Sequence, residues 1–146
     1  MKAASDPELS EPELLVDTSV AVALSVADHE AHPAVLAAVA GRRIGLAGHA
    51  AFESFSVLTR LPAPARRTPA AVSRLLAANF PYSRFLSQAG TSVLLSRLAD
   101  AGVSGGAVYD ALVGATAVEH RVRLLTRDLR ALATYRALEV DVLVAR

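Results

Sequence analysis

The sequence holds no cysteine and a single lysine, Lys2, in 146 residues. The first absence excludes disulfides and thiolate metal sites, a composition suited to a reducing compartment. No apolar run reaches the ~18 residues of a membrane-spanning helix. The N-terminal stretch Met1-Lys2-Ala3-Ala4-Ser5-Asp6-Pro7-Glu8 is polar and acidic where the apolar core of a signal peptide would begin, so neither a span nor a leader is expected. GxGxxG and Walker patterns are absent, which leaves nucleotide-cofactor readings unsupported.

The chain is instead rich in apolar residues, 53% against 20% charged, and long enough to bury a real core as one domain. Net charge is +1, but it is unevenly placed. Residues 1–13 set Lys2 against Asp6, Glu8, Glu11 and Glu13 and are expected to form a disordered acidic tail. The remaining residues, 14–146, carry 14 arginines against 10 acids and form the expected domain. Arginine's planar fork suits phosphate, so a polyanionic partner is allowed.

Leu14-Leu15-Val16 runs straight into Asp17, which reads as a buried strand ending in a carboxylate. Ser19 is the expected cap of a helix reaching residue 27. Pro33 places a helix over 32–39 that Gly41 ends. Further expectations are a strand at 44–47, a helix at 49–61 stopped by Pro62 and Pro64, and a helix from Thr68-Pro69 to residue 79. A third strand at 84–86, a helix at 91–101 and a helix at 107–120 after Gly105-Gly106 follow. A strand at 123–126, a helix at 129–135 and a last strand at 140–144 complete the chain. Strands separated by helices predict a parallel α/β sheet covered on both faces, with sites at the carboxyl ends of the strands.

Asp17 and Asp128 both end predicted strands and would face the same rim. Glu53 and Asp110 stand out as acids inside almost wholly apolar helices. Taken singly, Asp110 complements its helix dipole and Glu53 pairs with Arg60. Taken together, carboxylates converging on one rim repel one another unless a cation intervenes. An all-oxygen donor set suits Mg²⁺ or Mn²⁺ over Zn²⁺. Replacing one of several mutually repelling acids by its amide is expected to leave the fold intact.

Four segments resemble the motifs of PIN domains, in the family's order: Leu15-Val16-Asp17-Thr18-Ser19, Phe52-Glu53-Ser54-Phe55, Tyr109-Asp110-Ala111-Leu112 and Leu125-Thr126-Arg127-Asp128. The small size is similar to VapC-type toxins of bacterial toxin–antitoxin pairs. The resemblance implies a three-layer α/β/α fold around a mainly parallel sheet of four or five strands. It also implies a cytoplasmic Mg²⁺- or Mn²⁺-dependent endoribonuclease, homodimeric and silenced by a small cognate antitoxin. Carried over, Asp17, Glu53, Asp110 and Asp128 become the acidic metal centre, with Thr18, Ser19 and Thr126 as supporting hydroxyls. Where many relatives carry a second acid two residues after the last Asp, this chain has Arg130.

Arg60, Arg127 and Arg130 are candidate RNA contacts, with dipole partner or solvated charge as the plain alternatives. His49 is a candidate general base or a helix-start residue. Phe52, Phe55, Phe80 and Phe85 read as core or interface. Two other classes compete with the nuclease: a non-catalytic module whose acidic rim docks a basic peptide, and a receiver-like Mg²⁺-binding signalling domain. The latter needs a lysine near the end of the chain, where none stands.

Overall fold

A computed structural model describes residues 10–146. Four parallel strands form one sheet in the order β2-β1-β3-β4: β1 (Leu14–Val16), β2 (Ile44–Leu46), β3 (Arg123–Thr126) and β4 (Val142–Val144). β1 lies between β2 and β3, with Val16 beside Leu46 on one side and Leu125 on the other. From β1 the chain steps to β2, then crosses back past β1 to reach β3. The carboxyl ends of β1 and β3 therefore flank the point where strand order reverses, which is where open α/β sheets form their crevice.

Among the described residues seven α-helices surround the sheet: α1 (Thr18–Ser25), α2 (His32–Val39), α3 (Ala50–Thr59), α4 (Pro69–Asn79), α5 (Gln88–Arg97), α6 (Ala107–His120) and α7 (Leu132–Ala137). Successive side chains of a strand point to opposite faces, so β1 divides its residues between two cores. Leu14, Val16 and Leu125 pack with Val20, Val35, Leu58, Val72 and Phe80 of one helical layer. Leu15 and Leu124 pack with Val113, Ala117 and Tyr135 of the other. The result is the three-layer α/β/α arrangement. Among the described residues no helix is long and apolar enough to cross a membrane.

Several boundaries differ from the sequence-based expectations. α1 is capped by Asp17, not Ser19: the carboxylate accepts from the backbone N–H of Val20 at 3.3 Å. α5 begins at Gln88, earlier than residue 91, because Ser87 caps it and accepts from Gly90 N–H at 2.9 Å. Glu119 on α6 in turn accepts from the Ser87 hydroxyl and backbone N–H at 2.5 and 2.9 Å. The segment from 129 opens as a 3₁₀ turn (Leu129–Ala131) before α7.

Residues 84–86 do not form a third strand. Residues 81–84 instead lie along the outer edge of β2 in two isolated bridges, Gly45 to Pro81 and Ala47 to Arg84. Ser83 Oγ takes the place of a backbone acceptor for Leu46 N–H at 2.9 Å. The approach is so close that a Cβ on Gly45 would sit 2.1 Å from the Tyr82 carbonyl carbon, which explains a glycine inside a strand. The segment covers an edge that would otherwise be open to pairing.

The expected tail at 1–13 lies outside the described residues as far as residue 9. Glu11 and Glu13, within it, are tied to the body: Arg43 Nε donates to the Glu11 carbonyl at 2.7 Å, and Glu13 Oε2 accepts from Arg43 N–H at 2.7 Å.

Candidate active site

Asp17, Glu53, Asp110 and Asp128 line one cleft of about 60 Å³, together with Thr18, Ser19, Val113 and Tyr135. Each acid arrives on a different element. Asp17 follows β1, Glu53 lies in the first turn of α3 after β2, Asp110 in the first turn of α6, and Asp128 follows β3. The cleft sits at the strand-order reversal, the place the topology prescribes.

Asp17 is the most enclosed of them, 4% exposed, and the most heavily bonded. Its Oδ1 accepts from Ser19 Oγ at 2.6 Å and from Val20 N–H. Its Oδ2 accepts a short bond from Thr126 Oγ1 and one of 3.0 Å from the Tyr135 hydroxyl. Burial raises its pKa above the ordinary carboxylate value, and the bonds from Ser19, Thr126, Val20 and Tyr135 pull it back down. Tyr135, whose own hydroxyl is pushed upward by burial and by the Asp17 charge, stays a neutral donor.

Thr126 and Ser19 also stitch the rim together. Thr126 Oγ1 accepts from Asp128 N–H at 3.0 Å, and Ser19 Oγ accepts from Arg127 N–H at 2.9 Å. The loop after β3 is thereby anchored to the start of α1. Thr18 behaves differently from its neighbours: its Oγ1 is buried beside the cleft and has no hydrogen-bond partner.

The remaining acids feel one another. Asp110 is raised to about 6, first by burial, then by the charges of Asp128, Glu53 and Asp17, with Arg130 opposing. Glu53 is also raised, by burial first and by Asp17 in addition, while His49 opposes. His49 Nε2 stands 3.7 Å from Glu53 Oε1, so Glu53 pairs with His49 and not with Arg60. Arg60 is exposed at the C-terminal end of α3. Arg130 stands over Asp128, with Nε 3.4 Å from Oδ1.

Two ring pairs include residues next in sequence to Glu53 and Asp110. His49 stacks on Tyr109 with centroids 4.9 Å apart, and Phe52 meets Phe85 edge-on at 6.4 Å. Phe52 is 67% exposed and Phe55, Phe85 and Tyr109 are open too, whereas Phe80 is core.

The donor set fits a hard divalent cation. It is all oxygen, its carboxylates raise one another's pKa, and one buried hydroxyl lacks a partner. Among the described residues no group of three or more acidic or histidine side chains is placed to hold a metal ion by itself.

The residue that sequence reasoning missed is Tyr135. It occupies an apolar helical position seven residues beyond Asp128, and nothing in its neighbours shows that its hydroxyl reaches Asp17.

The comparisons agree with this architecture. The family model described as PIN domain matches residues 14–137. The chain is 50% identical over 134 residues to Ribonuclease VapC27 of Mycobacterium tuberculosis (strain ATCC 25618 / H37Rv), covering 92% of this chain and 98% of that protein. It is 48% identical over 128 residues to Ribonuclease VapC40 of Mycobacterium tuberculosis (strain CDC 1551 / Oshkosh), covering 86% and 94%. With four acids at the crevice of a matching fold and half its residues shared along nearly the full length of a relative, this chain belongs to the PIN-domain family.

Proposed function

We propose that the protein is a Mg²⁺- or Mn²⁺-dependent endoribonuclease, the toxin of a toxin–antitoxin pair, acting on RNA in the cytoplasm. One observation carries the reading: four carboxylates from four separate elements line a single cleft in a chain about half identical to proteins named ribonucleases. Its RNA-cleaving part follows the relatives' names; the metal follows the donor set.

Asp17, Asp110 and Asp128 would hold the cation, with Glu53 beside them. When bound, the cation supplies a Lewis acid that activates water and neutralises phosphoryl charge. The chain's own residues do the rest. The hydrogen bonds from Thr126, Ser19 and Tyr135 favour the charged form of Asp17 against its burial and orient the carboxylate. Asp110 loses its proton readily once its repulsion from Asp128, Glu53 and Asp17 is offset by positive charge. Arg127 and Arg130, on the rim beyond Asp128, would contact the phosphates flanking the scissile bond, and Arg60 a more distant one. Thr18 offers its unpartnered hydroxyl to the ligand or to a water held there.

The partners in this reading are the RNA substrate, a small antitoxin protein that blocks the cleft, and a second copy of the chain. The exposed rings Phe52, Phe55, Phe85 and Tyr109 support the homodimer, since open aromatic surface of this kind is typical of interface cores.

The test is cleavage of single-stranded RNA by the purified protein. EDTA is expected to abolish cleavage, Mg²⁺ or Mn²⁺ to restore it, and Asp110→Asn to remove it from a folded protein. Cleavage that survives both EDTA and Asp110→Asn overturns the reading.

A further inference from the structure

Asp17 accepts hydrogen bonds from four groups, Ser19 Oγ and Val20 N–H on Oδ1, Thr126 Oγ1 and Tyr135 Oη on Oδ2. An ionised carboxylate has about four lone-pair positions, so a cation can approach Asp17 only where a donor gives way. The two oxygens differ in how readily that happens.

On Oδ2 both donors come from buried side chains. Tyr135 is 1% exposed, and its ring is wedged among Leu15, Val113, Leu124 and Val140. The ring also lies against the backbone of α6: a Cβ on Gly114 would come within 3.1 Å of Tyr135 Cδ1. A phenol held this tightly cannot swing its hydroxyl away. On Oδ1 the side-chain donor is Ser19, which is partly exposed and lines the cleft. Ser19 Oγ also accepts from Arg127 N–H at 2.9 Å, so its hydroxyl proton can rotate off Asp17 while that second bond keeps the oxygen in place.

We propose that Tyr135 is a positioning residue that, with Thr126, pins Asp17 Oδ2 inward and leaves Oδ1 as the one oxygen Asp17 offers a divalent cation. The proposal rests on the metal-dependent reading above and assigns the geometry of its central ligand. Without the phenol hydroxyl, Oδ2 keeps a single donor. The carboxylate then turns about χ2, a broad torsion, and its oxygens are no longer distinguished. The hydroxyl therefore acts through Asp17, without touching the substrate.

Tyr135→Phe in the full chain tests this, because it retains the ring and its packing. Mn²⁺ alone, titrated into the protein and followed by electron paramagnetic resonance, gives affinity without reference to catalysis. RNA cleavage gives kcat and KM separately, and thermal melting reports stability. The expected result is Mn²⁺ affinity weakened roughly tenfold, the scale of losing a partner behind a metal ligand. A comparable fall in kcat is expected with KM for RNA unchanged. Val140→Ala, which loosens the same cluster but leaves the hydroxyl, is expected to lower the melting temperature without altering Mn²⁺ affinity. A folded Tyr135→Phe protein with wild-type Mn²⁺ affinity and kcat overturns the proposal. So does Val140→Ala weakening Mn²⁺ as much as Tyr135→Phe, since packing would then be the cause. A wild-type protein that neither cuts RNA nor takes up Mn²⁺ is a different failure, which removes the proposed function and this inference with it.

Discussion

Asp110→Asn should stabilise the metal-free protein while removing its activity. The Asp110 pKa is raised from an ordinary 3.8 to about 6 by burial and by Asp128, Glu53 and Asp17. Between those values the folded state holds a proton that the unfolded state has released. Stability of the metal-free protein therefore falls as pH rises from about 4 to about 6 and levels off above that. Two pKa units would correspond to about 3 kcal/mol for a fully shielded group. Asp110 is only half-buried, and screening cuts this to about 1.5 kcal/mol. The start of α6 returns about 0.5 kcal/mol, because the helix dipole favours an anion there. Asp110→Asn at pH 7.5 in EDTA is thus expected to gain about 1 kcal/mol, read as a melting temperature about 3 °C higher for a chain of this size. At pH 4 the two proteins should melt together. Adding Mg²⁺ should raise the melting temperature of the wild type and do little for the variant. An Asp110→Asn protein that melts below wild type at pH 7.5, with an unchanged pH slope, would refute the claim that this carboxylate is held against repulsion.

The neighbouring acid behaves in the opposite way. Asp17→Asn places an amide NH₂ against groups that donate to Asp17, so it is expected to cost about 2 kcal/mol in denaturant melts as well as abolish cleavage. Gly45→Ala drives a Cβ into the Tyr82–Ser83 backbone, which cannot rotate aside. It should cost at least about 2 kcal/mol and increase hydrogen exchange along β2 first. Replacing Arg127 and Arg130 together by Gln should flatten the salt dependence of RNA binding, by about 0.7 per lost phosphate contact in a plot of log affinity against log salt. An unchanged slope would remove both from the RNA path.

The parts of the fold legible in the sequence are those whose signals are local. α2, α4 and α6 occupy the expected residues because Pro33, Thr68-Pro69 and Gly105-Gly106 mark their starts within a few positions. β3 is equally plain, an apolar run ending before Asp128. The start of α5 was hidden because half of its cap is Glu119, 32 residues downstream of Ser87. The supposed strand at 84–86 misled because residues 81–84 do bond to an edge, through the Tyr82 and Arg84 N–H groups, but Ser83 Oγ replaces one backbone acceptor and no regular ladder forms. At the cleft, the four acids were visible as charges in apolar surroundings. Their unequal situations were not. That Asp17 is saturated with donors while Asp110 is repelled depends on Thr126 and Tyr135 reaching back to β1, which periodicity does not reveal. Where the sequence suggested that any one acid could become an amide with the fold intact, the donors around Asp17 predict a cost in stability there.

The span of that reach also governs when the site can exist during synthesis. Asp17 is bonded to Thr126 and Tyr135, separated from it by 109 and 118 positions. A ribosome-bound chain that has released α1 through α5 has made Asp17 and Glu53 but neither of the buried donors that hold Asp17 in place. The acidic cleft is thus incomplete until β3 and α7 have been delivered, and a product truncated before them lacks it.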